Sequence, residues 1–318
     1  MENSFVVSSS PHIRDNANTR RIMLDVIIAL LPASLAGVFF FGPRTLLVIL
    51  VSILTCVLSE YFSRRLMKRS NTISDLSAVV TGLLLALNLP PTAPLWMVAI
   101  GAVVAVVVIK QLFGGLGQNF INPALGARVF LFISYAGHMT NWAIPGVDEV
   151  SSATPLALLK AEDTASIVFP SYKDLFLGNV GGCIGEVSTA ALLLGGIYLV
   201  ARRVIGPQIP LAYIGTLGLF TWVFGGSVLF NGDFLYHILS GGLILGAIYM
   251  ATDYATSPMT IKGQIIMAIG CGLLTGIIRL FTNYPEGVSF AILIMNIMVP
   301  LIDRYTVPKS FGGGKAVE

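Results

Sequence analysis

The chain has 318 residues, 55% of them hydrophobic and only 11% charged, and a mean hydropathy of +0.83. A water-soluble domain carries about 25% charged residues, so an ordinary soluble fold is excluded and most of the surface is expected to meet lipid. The net charge of +3 is too small to argue for a polyanionic partner, and the three scattered cysteines, Cys56, Cys183 and Cys271, exclude a disulfide framework and give no sequence-local metal site. Residues 1–21 are polar. The apolar run that follows, Ile22 to Phe41, is too long for the core of a cleaved leader and lacks a small-residue cleavage site. It is expected to stay as a first membrane helix. In all, ten apolar segments recur along the chain, at 22–41, 45–62, 76–89, 95–113, 122–136, 187–203, 211–226, 234–252, 264–281 and 287–302. A bilayer crossing needs roughly 20 such residues. The third is short and ends in Asn88-Leu89-Pro90-Pro91, and the eighth ends in Ala251-Thr252-Asp253 with Thr256-Ser257-Pro258, so both read as broken helices.

The basic residues orient this array. With the N-terminus in the cytoplasm, fourteen of the nineteen, including Arg64, Arg65, Lys110, Arg202 and Lys262, fall inside. Four, Arg44, Lys160, Lys173 and Arg279, fall outside, and Arg128 lies within a helix. That bias sets membrane topology. Both termini are then cytoplasmic, in the segments 1–21 and 303–318, and an acidic loop of residues 137–186 is extracytoplasmic. A re-entrant third segment is the alternative, and it would move that loop inside. The halves 22–136 and 187–302 echo each other weakly. Gly82-Leu83-Leu84-Leu85 before prolines resembles Gly242-Leu243-Ile244-Leu245 before Pro258, and Ile100-Gly101 precedes Lys110 as Ile269-Gly270 precedes Arg279. Five segments per half is an odd number, so the second half runs inverted. Inverted repeats with interrupted helices place small-ligand or ion sites near the midplane.

The long loop contains Asp148-Glu149-Val150-Ser151-Ser152-Ala153-Thr154-Pro155-Leu156. Pro155 lacks an amide hydrogen and suits the first position of a helix. It also holds Thr154 out of the α region. Local physics therefore makes Thr154 the N-cap of a short helix over Leu156–Lys160, and by itself asks for nothing more.

This segment, with Asp148, Ser151, Ala153 and Thr154 in order, resembles the flavinylation motif of the RnfD/NqrB family. Ser152 stands where that motif usually has glycine. Further matches run along the chain: Ser10-Pro11-His12-Ile13-Arg14, Gly114-Gly115-Leu116-Gly117 with Asn122-Pro123-Ala124, Gly185-Glu186-Val187-Ser188, Thr252-Asp253, and Pro285-Glu286-Gly287. The short N-terminal segment places the chain nearer the RnfD type than the longer NqrB type. The resemblance implies an all-α membrane protein of about ten transmembrane helices, two inverted five-helix repeats like those of urea transporters. It implies FMN joined through its phosphate to Thr154 by an extracytoplasmic flavin transferase, with Asp148, Ser151 and Ala153 read by that enzyme. A noncovalent riboflavin near the cytoplasmic side is implied as well. The function implied is that of a membrane electron-transfer subunit in the cytoplasmic (inner) membrane. It would belong to an Rnf-type complex that couples electron flow between ferredoxin and NAD to sodium or proton translocation. The chain has no iron–sulfur motif and no dinucleotide fingerprint, so partner subunits would supply those, along with a second FMN. A small-solute channel of the same architecture is the rival reading.

Other polar residues sit in apolar surroundings, where carboxylates and guanidinium groups are costly. Asp253, with Thr252 at the helix break, is a candidate for the ion pathway, with capping as the alternative. Arg128 needs a partner, either a carboxylate or a flavin phosphate. Asp25 follows Arg21 by one helical turn and is expected to pair with it. Lys110 and Arg279 end their segments and are expected to snorkel.

Overall fold

The computed structural model describes residues 18–143, 151–160, 169–186, 188–226, 228–282, 284 and 286–308. Asp148, Glu149, Val187, His12 and the rest of the N-terminal match lie outside the described residues. The described chain is helical, apart from one antiparallel pair of two-residue strands, β1 (Trp142–Ala143) and β2 (Ser151–Ser152). The helices are α1 (Thr19–Phe41), α2 (Pro43–Leu66), α3 (Ser77–Leu87), α4 (Leu95–Gln111), α5 (Pro123–Ser134) and α6 (Ala136–Met139). Then follow α7 (Pro155–Leu158), α8 (Tyr172–Leu177), α9 (Thr189–Ala201), α10 (Gln208–Phe224), α11 (Phe234–Leu239), α12 (Leu243–Leu245), α13 (Ile261–Phe281) and α14 (Val288–Thr306). Each apolar segment of the sequence contains a helix. Four of these, α1, α2, α13 and α14, are long and apolar enough to cross a membrane by themselves.

The outer surface is apolar: Phe39 is 83% exposed, Leu35 67%, Ile197 70% and Leu211 69%. The interior has an apolar core too, but polar groups are set within it, with Asp25, Glu60, Lys110, Arg128, Glu186, Arg279, Asn88, Asn122 and Asn296 all buried. Apolar side chains gain nothing by leaving a lipid solvent, so close packing and polar contacts hold such a bundle together. Small residues permit the packing. Ala29, Ala33 and Gly37 recur along one face of α1, which lies against α9. A side chain at Gly195 of α9 would collide with the Ala29 carbonyl and the Tyr249 hydroxyl.

The broken helices have local causes. The third segment stops at Asn88, whose Nδ2 donates back to the Leu84 carbonyl at 2.7 Å. The eighth is interrupted twice, not once. The second break, after Met250, falls where the sequence placed it. The first lies at Ser240-Gly241-Gly242, where Gly241 takes φ +67°, a backbone state suited to glycine. The chain then resumes as α12 and a π-helical turn, Gly246–Met250. The loop after α8 enters the bundle beneath the end of α3, with the Ile184 and Gly185 amides donating to the carbonyls of Leu89 and Leu87 at 3.0 and 2.7 Å. A Cβ at Gly185 would lie 2.7 Å from Leu87 Cβ, so this close approach needs glycine.

Candidate functional site

Thr154 has φ −64° and ψ 155°, the extended backbone that Pro155 imposes, and its Oγ1 accepts a hydrogen bond from the Ala157 amide at 3.3 Å. The side chain is buried beside a cavity of about 10 Å³ lined by Gly181, Gly182, Glu186, Ser240 and Gly241. Two side chains hold α7 and the residues that follow it in place. The Tyr236 hydroxyl donates to the Pro155 carbonyl at 3.3 Å, and the Lys160 ammonium donates to the carbonyls of Thr282 and Tyr284. Burial lowers the pKa of Lys160 below its ordinary value of 10.5. Ser151 lies in β2, opposite Ala143.

Arg128, on α5, has carboxylate partners. Nη2 lies 2.5 Å from Glu286 and 3.5 Å from Glu186, and Nη1 donates to Asn88 Oδ1 at 3.1 Å and Ser289 Oγ at 2.9 Å. One guanidinium thus ties the end of α3, the entering loop, the loop before α14 and α14 itself. Cys183, Glu186 and Glu286 offer ligand atoms within 4.8 Å of one another. That spacing suits a metal ion, but Nη2 sits among the three, 3.4 Å from Cys183 Sγ. A guanidinium already supplies the positive charge. Burial first, and the neighbouring Glu186 second, push Glu286 up to about 7 against the pull of Arg128.

Three expectations need correction. Arg279 does not snorkel: it is 2% exposed, and its Nη atoms donate to the carbonyls of His237 (2.5 Å) and Ser240 (3.1 Å), which the break after α11 leaves free. Nor does Lys110, also 2% exposed. Its ammonium contacts Glu60 at 2.8 Å and Ser77 Oγ at 2.7 Å. Asp25 pairs not with Arg21 but with α9 and the residue that ends it, accepting from Tyr198 at 2.8 Å and lying 3.5 Å from Arg202. Arg21, in the first turn of α1, is exposed, while Asp25 one turn further on is buried against α9.

A cavity of about 90 Å³ is lined by Ile22, Val26, Thr81, Lys110, Asn119, Asn122, Thr252 and Asp253. Asp253 Oδ1 accepts from the Ala255 amide at 3.3 Å and Oδ2 from Thr256 Oγ1 at 3.2 Å. Thr252 turns its hydroxyl back to the Ile248 carbonyl at 2.6 Å. The break therefore gathers Asp253 and Thr256, with the Thr252 oxygen directed elsewhere.

A model of the NQR2, RnfD, RnfE family matches residues 6–312. The chain belongs to this family. It is similar over 98% of its length to the D-type subunit of the Na(+)-translocating ferredoxin:NAD(+) oxidoreductase complex of Acetobacterium woodii, 52% identical over 314 residues and 96% of that protein. The counterpart from the proton-translocating complex of Clostridium ljungdahlii is 47% identical over 321 residues, with 98% and 97% of the two chains covered. The D-type subunit of an ion-translocating oxidoreductase complex of Escherichia coli is 37% identical over 351 residues, with 98% and 99% covered. Two residues of the site had no assigned role in the sequence. Glu60 is a carboxylate inside an apolar run, which signals a buried partner but not which one. Glu286 stands in a matched motif that carries no chemistry of its own.

Proposed function

We propose that the chain is the D-type subunit of an Rnf-type complex, carrying FMN as a phosphoester on Thr154. In that complex electrons pass between ferredoxin and NAD while sodium or protons cross the membrane. The observation that carries this reading is the position of Thr154. It follows Ser151-Ser152-Ala153 at the start of α7, in a chain that belongs to a family built around such subunits. FMN accepts electrons singly or in pairs. The residues here would hold it and aim it. Thr154 supplies the hydroxyl at the start of α7. The cavity of about 10 Å³ beside Thr154 is too small for a phosphoryl group. Attachment therefore requires the 151–160 segment to lift off its contacts with Tyr236, Thr282 and Tyr284 while a transferase works on it. Asp148, Ser151 and Ala153 would serve that recognition. The remaining redox parts, an NAD site, iron–sulfur clusters and a second FMN, belong to partner subunits.

Several finer features belong to the same reading. The ten helical segments would form two inverted five-helix halves of urea-transporter-like design in the cytoplasmic membrane, both termini inside. Supporting this, Lys110 at the end of the fourth segment reaches Ser77 of the third, and Arg279 at the end of the ninth reaches Ser240 of the eighth. The cavity at Asp253 would take one edge of a riboflavin, or lie on the ion path. No observation favours a solute channel over electron transfer, and family membership favours the latter.

The test is in-gel ultraviolet fluorescence after boiling in detergent, with a flavin transferase co-expressed. Wild type should glow and Thr154→Ala should be dark. A dark wild type, or a bright Thr154→Ala, removes the reading.

A further inference from the structure

A second cavity, of about 60 Å³, opens on the extracytoplasmic side of this orientation. Its walls are aromatic: Phe132, Trp142, Tyr284 and Phe290. Phe132 and Tyr284 stand 5.8 Å apart, and Tyr284 and Phe290 6.1 Å. Its floor is polar, formed by the Arg128–Glu286 pair. Glu286 Oε1, shielded from solvent, has no hydrogen-bond partner among the described residues. An orphaned acceptor is costly unless something donates to it. Aromatic walls accept a flat ring, stacked or edge-on. An unpaired acceptor between such walls fits a flat ring whose edge carries an N–H.

The Thr154 segment brackets this cleft on both sides. Trp142 in its wall is the strand partner of Ser152, two residues before Thr154. Lys160, at the other end, binds the backbone carbonyl of Tyr284, another wall residue. Paired strand residues lie about 5 Å apart and two strand residues span about 7 Å, so Thr154 is within about 12 Å of the Trp142 backbone. A ribityl phosphate has about nine bonds and reaches roughly as far as three extended residues, about 10 Å. The side chains close the remaining gap.

Building on the Thr154 reading, we infer that this cleft seats the imide edge of the tethered isoalloxazine, with N3–H donating to the unpaired Glu286 Oε1. The cleft holds one edge of the ring and not the whole of it. The benzenoid end stays outside, where another carrier can approach it. This seat also gives the Arg128 cluster a task beyond holding four elements together.

The experiment uses the full chain with its covalently attached FMN in detergent, reading native flavin fluorescence and anisotropy against the denatured band. Aromatic walls in contact with the ring quench it. Trp142→Leu and Tyr284→Leu should each raise native fluorescence severalfold and lower anisotropy, while the denatured bands stay equally bright. Tyr284 is 52% exposed, so its replacement leaves the fold intact. Native signals unchanged in both variants, with bright denatured bands, overturn the seat and leave the attachment standing. A dark denatured wild-type band overturns the attachment and the seat with it.

Discussion

At the scale of single residues, the buried ion pairs decide most. Lys110 and Glu60 have side chains 2% and 1% exposed, so removing one partner strands a charge. Glu60→Gln should destabilise the detergent-solubilised chain by about 3–5 kcal/mol, while Glu60→Gln with Lys110→Met should recover much of it. Thermal unfolding of the two variants checks this, and equal losses in both would contradict the pairing. Glu286 gives a pH dependence of definite sign. Its pKa is raised to about 7 from an ordinary 4.5, so the folded chain holds a proton over that window that the unfolded chain has lost. Stability from this group is therefore fully present below about 4.5 and falls as pH rises to about 7. Melting temperature should decline across that window, and Glu286→Gln should flatten the decline. An unchanged slope in the variant would assign the effect to another group.

At the scale of elements, the contact between α1 and α9 depends on absent side chains. A Cβ at Gly195 meets the Ala29 carbonyl and the Tyr249 hydroxyl, and that hydroxyl already donates to the Leu192 carbonyl at 2.8 Å. Gly195→Val should cost about 1–3 kcal/mol through overpacking and lower the yield of monodisperse protein in size-exclusion chromatography. The break after α11 depends on a cation in the same way. Arg279→Met would leave the carbonyls of His237 and Ser240 without their donors. Faster amide hydrogen exchange should then appear in 234–245, and in α13 much less.

At the scale of the whole molecule, the orientation is open to direct test. The three native cysteines are buried and form a silent background for labelling. A cysteine in place of Lys173 should react with a membrane-impermeant maleimide on intact cells, and one in place of Arg65 only after permeabilisation. The opposite pattern would invert the chain.

The division between sequence and structure is visible in particular residues. The apolar runs, the two helix breaks at Asn88 and Asp253, and the Thr154 cap were legible in sequence. Each follows from a neighbour's covalent geometry or from the composition of one stretch. The partners of Lys110, Asp25, Arg128 and Arg279 were not, because those contacts join residues 33 to 177 positions apart and nothing local encodes them. Sequence alone determined that the chain meets lipid, and the order of its motifs carried the family. Only the tertiary structure decided which buried charge neutralises which, since in a medium that cannot solvate ions that choice is made by proximity across helices.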